Sequence, residues 1–191
     1  MLEVAESPSS TATWSAGQAS LYQAVLEAHG ASATRSNISH EVLKLAMIGS
    51  GSYMQAIAAA LMSLGGMHAP LAQTYDLLHR FNTLDVARSL YENGQMIPGW
   101  GNAFVKGAPD PLWAEADRYL RVLVPGTMER MDEVTAFLHQ KGKHIYPNPS
   151  CWTAAAGIAL GFDRQTTGYL FVQGRLPAWT RVIQEILRDE D

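Results

Sequence analysis

Apolar side chains recur every three or four residues along most of this chain. A repeat of about 3.6 residues is that of an α-helix with one buried face. No stretch alternates between apolar and polar residues for long enough to build a sheet. Runs rich in glycine and proline, such as 95–111, separate the periodic segments and favour loops. The sequence therefore predicts an all-α fold.

Start and stop signals divide the periodic part into helices. Gly30 is a stop signal, and Asp110 followed by Pro111 is a helix start. Ser150 is a candidate helix cap, and Pro177 is predicted to open the last helix. After a tail over 1–15, the predicted helices are 17–29, a segment from 39 to the GSGS run at 49–52, 53–64, 70–91 as one helix or two, 111–124, 128–141, 151–160, 164–174 and 177–188.

The composition argues against several classes of protein. The 191 residues carry 14 basic and 18 acidic side chains without a basic run, which argues against nucleic acid as a partner. The lone Cys151 excludes an internal disulfide framework and fits a reducing compartment. Residues 1–15 lack the apolar core of a signal peptide, and the apolar stretch 53–66 is shorter than a membrane span of about 20 residues. We therefore expect a cytoplasmic protein without membrane contact.

Two features favour a partner subunit. Charged residues make up 17% of the chain, against about 25% in ordinary globular proteins, so part of the surface is expected to be covered. The predicted helix 53–64 is apolar almost all round, as helices buried at subunit interfaces are.

The histidines do not show the spacing of metal ligands. His40 lies 39 residues before His79. His139 lies 5 residues before His144, and no cysteine or pair of carboxylates joins either pair. We therefore predict that the protein holds no metal ion.

Three segments, taken in order, resemble the citrate synthase superfamily. The first is LMSLGGMHAPLAQTYDLL, with a glycine pair and a histidine between two helices. The second is MIPGWGNAFVKGAPDP, similar to a Pro-Gly-aromatic-Gly-His loop followed by a basic residue and Asp-Pro-Arg. The third is KHIYPNPSCWTAAAGIALGFDRQTTGYLFVQGRLPAWTRVIQEI, similar to a Pro-Asn-Val-Asp turn, a small-residue helix ending in glycine, Phe-(x)3-Arg-x-x-Gly-Trp and a closing helix. The resemblance covers about residues 39–188.

The resemblance implies a citrate synthase-like helical core with a small helical subdomain. The long helical N-terminal half of a citrate synthase has no counterpart in these residues, so the short citryl-CoA-lyase-like branch is the closer comparison. We expect a tail and helix over 1–38, a large dimer-forming part over 39–96 and 176–191, and a small subdomain with the ligand loops over 97–175. The expected assembly is a homodimer, with a heterodimer with a citrate synthase subunit as the alternative.

A member of this family joins or breaks a carbon–carbon bond next to a CoA thioester. The resemblance implies that a carboxylate removes the α-proton, one histidine stabilises the enolate, a second histidine polarises the keto group of the acceptor, and arginines hold the acceptor's carboxylates. Because proton abstraction from a thioester is hard, the position of the base and the stabilisation of the enolate dominate the barrier.

Five residues match the family's ligand-holding or catalytic positions. His68 matches the enolate-facing histidine, and Arg175 matches the later arginine that holds the substrate. Lys106 matches the basic residue near the CoA phosphates, and Gly101 lets the backbone of its loop approach a ligand closely. Asn148 lies in the second loop, which in the family closes over the pantetheine arm. The resemblance therefore implies CoA or acyl-CoA as the ligand.

Three positions depart from the pattern. Asn102 replaces the second histidine, and an amide can donate to a carbonyl but cannot protonate it. Ser150 replaces the carboxylate base, and a hydroxyl near neutral pH is not a base unless another group activates it. Leu112 replaces an arginine that would clamp a carboxylate.

Each match also has an ordinary structural explanation. Ser150 can serve as a helix cap, and Asn102 can satisfy a turn. Arg175 can pair with an acidic helix end such as Glu185, and Lys106 can be a solvated loop charge.

Three functions remain open from the sequence. The first is a non-canonical or catalytically impaired citrate synthase-like protein with residual CoA or acyl-CoA binding. The second is an active acyl-CoA lyase or synthase, and the third is a non-catalytic partner of a citrate synthase subunit. Loss of the base costs orders of magnitude in rate, whereas loss of one clamp mostly costs binding, which favours the first.

Overall fold

The computed structural model describes residues 13–33, 38–64 and 70–189, and every regular element in this part is helical. A short 3-10 helix, Pro111–Trp113, precedes α6. The α-helices are α1 (Ala16–Ser32), α2 (Ile38–Ser50), α3 (Tyr53–Met62), α4 (Leu71–Leu78), α5 (Thr83–Glu92), α6 (Ala114–Leu123), α7 (Pro125–Gln140), α8 (Pro149–Leu160) and α9 (Thr167–Asp189). The predicted all-α fold is confirmed.

Helix α8 lies at the centre of the main core. It packs against α1, α4, α6 and α9, and its residues from Ser150 to Gly157 are all buried. Most of these residues are small, so neighbouring helices approach its backbone closely. Gly161 ends the helix with φ 73° in the left-handed region, as its sequence predicts.

A second cluster of apolar side chains joins α2 and α3 to the C-terminal half of α9. In it, Trp179 and Ile183 of α9 are fully buried against α2 and α3. The residues contributed by α2 and α3 are Leu43, Met47, Ala56, Ile57 and Ala60.

The predicted end of the first helix at Gly30 is wrong, because this glycine serves a helix crossing. A Cβ atom at Gly30 would lie 3.3 Å from the carbonyl oxygen of Gly174 in α9, and one at Gly174 would lie 2.9 Å from the carbonyl oxygen of Leu26. The glycines therefore let α1 and α9 approach closely, and α1 continues to Ser32.

Two further predicted boundaries are also wrong. The segments 164–174 and 177–188 form one helix, α9, with Pro177 inside it. Burial of Arg175, Ala178 and Trp179 against the neighbouring helices holds the chain helical through the proline. Helix α7 starts at Pro125 rather than at 128, because a proline is well suited to the first helical position. The region 70–91 forms two helices.

Helix α3 is only partly covered within one chain. Met54 and Met62 are 71% and 86% exposed, whereas the face with Ala56, Ile57 and Ala60 is buried. Among the described helices, none combines the length and the apolar character needed to cross a bilayer.

Candidate functional site

Two loops rich in glycine and proline, 97–108 and 141–148, are held together by backbone hydrogen bonds. The amide of Gly101 donates to the carbonyl of Tyr146 at 3.0 Å, and the amide of Asn148 donates to the carbonyl of Gly99 at 2.8 Å. An antiparallel bridge between Trp100 and Pro147 lies between these bonds. Both loops carry predicted ligand residues, and the structure brings the loops together.

Gly99 is required by the close approach of this loop to the protein core. Its φ is 90°, in the left-handed region, and a Cβ atom there would lie 2.5 Å from Cγ2 of Thr74 and 3.3 Å from Cβ of Cys151. The backbone of the first loop is therefore fixed against α4 and α8.

Asn148 both caps α8 and fixes the first loop. Its Oδ1 accepts a hydrogen bond from the amide of Ser150 at 2.9 Å, and its Nδ2 donates to the carbonyl of Gly101 at 3.0 Å. The predicted cap at Ser150 is therefore wrong. The helix starts earlier because Pro149 has no N–H to satisfy and suits the first helical position. Ser150 lies in the first turn and is only 3% exposed.

Asn102 is tied into the loop by both ends of its amide. Nδ2 donates to Oδ2 of Asp110 at 3.0 Å, and Oδ1 accepts from the amide of Phe104 at 2.9 Å. The buried Asp110 in turn accepts from the amide of Leu112 at 3.2 Å and starts the 3-10 helix. Asn102, which replaces the family histidine, therefore holds the loop in place through these two hydrogen bonds. The second hydrogen on its Nδ2 is not used in them.

Lys106 lines a small cleft of about 230 Å³ with Gly101 and Asn102. His144, from the second loop, lines the same cleft. Lys106 and His144 are both exposed. The structure therefore places two of the predicted cofactor residues in one opening, and Asn148 fixes its wall through Gly101.

Arg175 is a buried cation for which the described residues supply no carboxylate. It is 5% exposed, and its Nη1 and Nη2 make only long contacts of 3.4 Å with the hydroxyls of Ser39 and Ser32. Its guanidinium lies 4.2 Å from the centre of the Phe171 ring, and its Nε has no hydrogen-bond partner. Within the part of the chain that the structure describes, Arg175 forms no ion pair with a carboxylate, Glu185 included.

The surroundings of Arg175 are unusual for a guanidinium. Burial lowers the pKa of Arg175 to about 10. A buried charge without a partner is costly, and this makes Arg175 a candidate for a functional residue.

His29 is a buried polar residue that the sequence analysis did not single out. Its Nε2 lies 2.8 Å from Oγ1 of Thr153, and this hydroxyl donates to the carbonyl of Pro149 at 2.6 Å, so the imidazole is the donor. Its Nδ1 has no partner. Burial, and secondly the charge of Arg175, hold the pKa of His29 well below its ordinary value. In the sequence, His29 lies four residues after Val25, on the apolar face of the predicted helix. This spacing was the signal that could have indicated its burial.

His29 lies between the start of α8 and Arg175 in its interactions. It contacts Thr153, about one helical turn of α8 after Ser150, and the charge of Arg175 is near enough to lower the pKa of the imidazole. His68 lies outside the described residues.

The described residues, 13–33, 38–64 and 70–189, contain no group of three or more His, Cys, Asp or Glu side chains that could hold a metal ion.

Comparison with known proteins identifies the fold. No protein-family model matches this sequence. No curated protein matches it either. The chain is similar to the solved structure of citryl-CoA lyase from Hydrogenobacter thermophilus, with a TM-score of 0.74 and 20% sequence identity over 90% of this chain and 70% of that chain. The predicted citrate synthase-like helical fold is confirmed by this likeness.

Proposed function

We propose that this chain is a citrate synthase-like protein that binds a CoA thioester together with a carboxylate ligand and is impaired in ordinary citrate synthesis. The observation that carries the proposal is Arg175, a buried guanidinium with no carboxylate partner among the described residues, in a fold shared with a citryl-CoA lyase. A carboxylate ligand would supply such a partner with strong, charge-assisted hydrogen bonds.

The cleft beside Lys106 supports binding of the CoA part. Lys106 is a single point charge for a phosphate, and the ring of His144 lines the same cleft. Affinity for CoA should therefore be modest and should fall as salt is raised.

The start of α8 supports impaired chemistry. Ser150 stands where the family's carboxylate base is expected, and a hydroxyl does not remove an α-proton at neutral pH without activation. Asp110, the buried carboxylate nearest to Asn102, already accepts hydrogen bonds from Asn102 and from the amide of Leu112. Turnover of acetyl-CoA with oxaloacetate should lie well below the ordinary enzyme range of about 1–1000 per second.

Thermal unfolding with CoA, acetyl-CoA, citryl-CoA, oxaloacetate and citrate, followed by mass spectrometry of the same samples, tests the proposal. A ligand at 100 times its dissociation constant raises the free energy of unfolding by about 2.7 kcal/mol. We expect stabilisation by acetyl-CoA and by citrate with little or no product. Rapid cleavage of a citryl-CoA substrate would instead assign an active lyase. No stabilisation by any of these ligands at millimolar concentration would overturn the proposal and favour the role of a non-catalytic partner.

Two pairs of variants separate the two ligand sites. Lys106→Ala should weaken CoA binding, whereas Lys141→Ala, which removes an exposed lysine outside the cleft, should not. Arg175→Gln should abolish stabilisation by citrate, whereas Arg181→Gln, at an exposed position of the same helix, should leave it unchanged.

A further inference from the structure

A cavity of about 560 Å³ lies between the end of α3, the start of α4 and the start of α9. It has more than twice the volume of the cleft beside Lys106, which is about 230 Å³. Small-molecule sites in proteins have volumes of about 300–1,000 Å³. The cavity is therefore large enough to hold an organic group that the cleft cannot.

The walls of this cavity are mostly aliphatic and within reach of a ligand. Leu61 and Leu64 lie at the edge of the cluster that joins α2 and α3 to α9, and Leu71 lies at the edge of the main core. The cavity thus marks the place where the two apolar clusters meet. All three leucines, and Val172 on α9, are only partly buried, so apolar surface is left for a ligand to cover. Covering such surface favours the binding of an apolar group.

The charges at this cavity favour an uncharged ligand group. Among the described residues of the lining, Arg164 is the one charged side chain. Its Nε lies 3.1 Å from Oδ2 of Asp76, so its charge already has a partner. An anionic group would compete with Asp76 for this guanidinium and would otherwise face aliphatic walls, where a charge is costly. An aliphatic chain has neither disadvantage.

The cavity also adjoins both parts of the candidate site. Residues 71–73 of α4 line it, and the next residue, Thr74, is the one against which Gly99 of the first loop packs. Phe171 of α9 lines it as well, and the ring of Phe171 lies 4.2 Å from the guanidinium of Arg175. One residue therefore separates the cavity from the loop that carries Lys106, and one separates it from Arg175.

We propose that this cavity takes the acyl group of the CoA thioester, and that this group is an uncharged aliphatic chain of several carbons rather than acetyl. The inference rests on the proposed function and adds a substrate class to it. The CoA part lies along the two loops, and the chain extends past α4 into the space between the two apolar clusters.

Isothermal titration calorimetry with CoA, acetyl-CoA, hexanoyl-CoA and octanoyl-CoA tests the proposal. The thioesters differ only in the length of the acyl chain, so the contribution of the CoA part is common to them. Burial of one methylene group favours binding by about fourfold. We expect affinity to rise along the series, with octanoyl-CoA at least tenfold tighter than acetyl-CoA.

A variant at Gly168 tests whether the chain lies in this cavity. Gly168 lines the cavity, and a Cβ atom added there meets no other atom within 4 Å, so the side chain of Gly168→Leu would occupy open space. This variant should reduce the preference for octanoyl-CoA to less than threefold and leave the affinity for CoA unchanged. Leu64→Gln, which places an amide in the wall, should lower the preference too.

Gly126→Leu is the matched control. Gly126 is a helical glycine of α7, outside the cavity, and a Cβ atom there meets only Nη1 of Arg130, at an ordinary contact distance of 3.7 Å. This variant should keep the full preference for octanoyl-CoA.

The possible failures are distinguishable. Equal affinities for acetyl-CoA and octanoyl-CoA would overturn this inference and leave the proposed function standing. A preference for octanoyl-CoA that survives in both Gly168→Leu and Leu64→Gln would also overturn it, because the chain would lie elsewhere. A Gly168→Leu variant that loses the dimer but keeps the preference would assign the cavity to a second copy of the chain. No binding of CoA or of any thioester at millimolar concentration would overturn the proposed function and this inference together.

Discussion

Arg175 and His29 share one buried environment, and that environment fixes the protonation state of the histidine. Arg175 stays charged because its pKa, although lowered by burial to about 10, remains far above neutrality. His29 is held neutral by burial and by the neighbouring charge. A second cation beside Arg175 would add repulsion to the cost of desolvation, so His29 takes up a proton more readily in the unfolded state than in the folded state.

Stability should therefore fall as the solution is acidified below about pH 6.5. The pKa of His29 is lower in the folded state than in the unfolded state, where it is about 6.5, so below that pH only the unfolded state takes up the proton. The free energy of unfolding should fall by up to about 1.4 kcal/mol per pH unit from this residue. Urea denaturation between pH 7.5 and 5.5 measures the slope.

Two variants isolate the contribution of His29. His29→Gln should flatten the pH dependence, whereas His79→Gln, at an exposed histidine, should leave it unchanged. Equal slopes in His29→Gln and the unsubstituted protein would show that another group titrates.

Single residues also show where sequence reasoning reaches its limit. Asn148 and Ser150 lie two positions apart, and both residue types are good helix caps. The residue types therefore do not show which one caps α8. The contact of Asn148 with Gly101 of the other loop decides in its favour. The match of Arg175 to a family motif singled this residue out as a candidate ligand-binding side chain. Its lack of a carboxylate partner depends on contacts with Ser32 and Ser39, more than 130 positions away, which local patterns do not contain.

Helix elements follow their local signals except where two helices cross. Gly30 and Pro177 are ordinary boundary signals, yet both lie inside helices. Tertiary packing outweighs local preference at both positions, since α1 and α9 bury extensive surface against each other and against α8.

The crossing of α1 and α9 predicts a large effect of one methyl group. A Cβ atom at Gly174 would collide with Cβ of His29 and lie 2.9 Å from the carbonyl oxygen of Leu26, so Gly174→Ala should destabilise the protein by about 2–3 kcal/mol. Gly168→Ala is the matched control in the same helix. No atom lies within 4 Å of its added Cβ, and alanine favours a helix over glycine by up to about 1 kcal/mol. Urea denaturation compares the two variants, and equal stabilities would contradict the close crossing.

Across the whole molecule, periodicity predicted the helical class, and the resemblance predicted the citrate synthase-like helical fold. Periodicity alone does not specify which faces meet, because each amphipathic helix fits several partners. The resemblance also anticipated that the loops around Gly101 and Asn148 lie together. A cavity of about 340 Å³ lined by residues of α6, α7 and the start of α8 was not anticipated, since it depends on empty space between helices rather than on residue type.

Exposed apolar side chains on α2 and α3 carry the prediction of a homodimer. Leu45, Ile48, Met54 and Met62 are 70%, 64%, 71% and 86% exposed, and the two helices that bear them pack against each other. Apolar groups gathered on neighbouring elements are typical of a surface that a partner covers. We expect sedimentation at micromolar concentration to give twice the chain mass of 20.9 kDa.

Charged substitutions on this surface should separate association from folding. Ile48→Glu and Met54→Glu place a charge where a single chain is exposed to water, so each variant should keep its helical circular dichroism and shift to the monomer, with at least a tenfold weaker dimer. Val122→Glu is the matched control, because Val122 is 79% exposed but lies on α6. A monomeric unsubstituted protein, or equal dissociation by Val122→Glu, would contradict an interface on α2 and α3. A dimer that forms only when a citrate synthase subunit is added would assign the heterodimer instead.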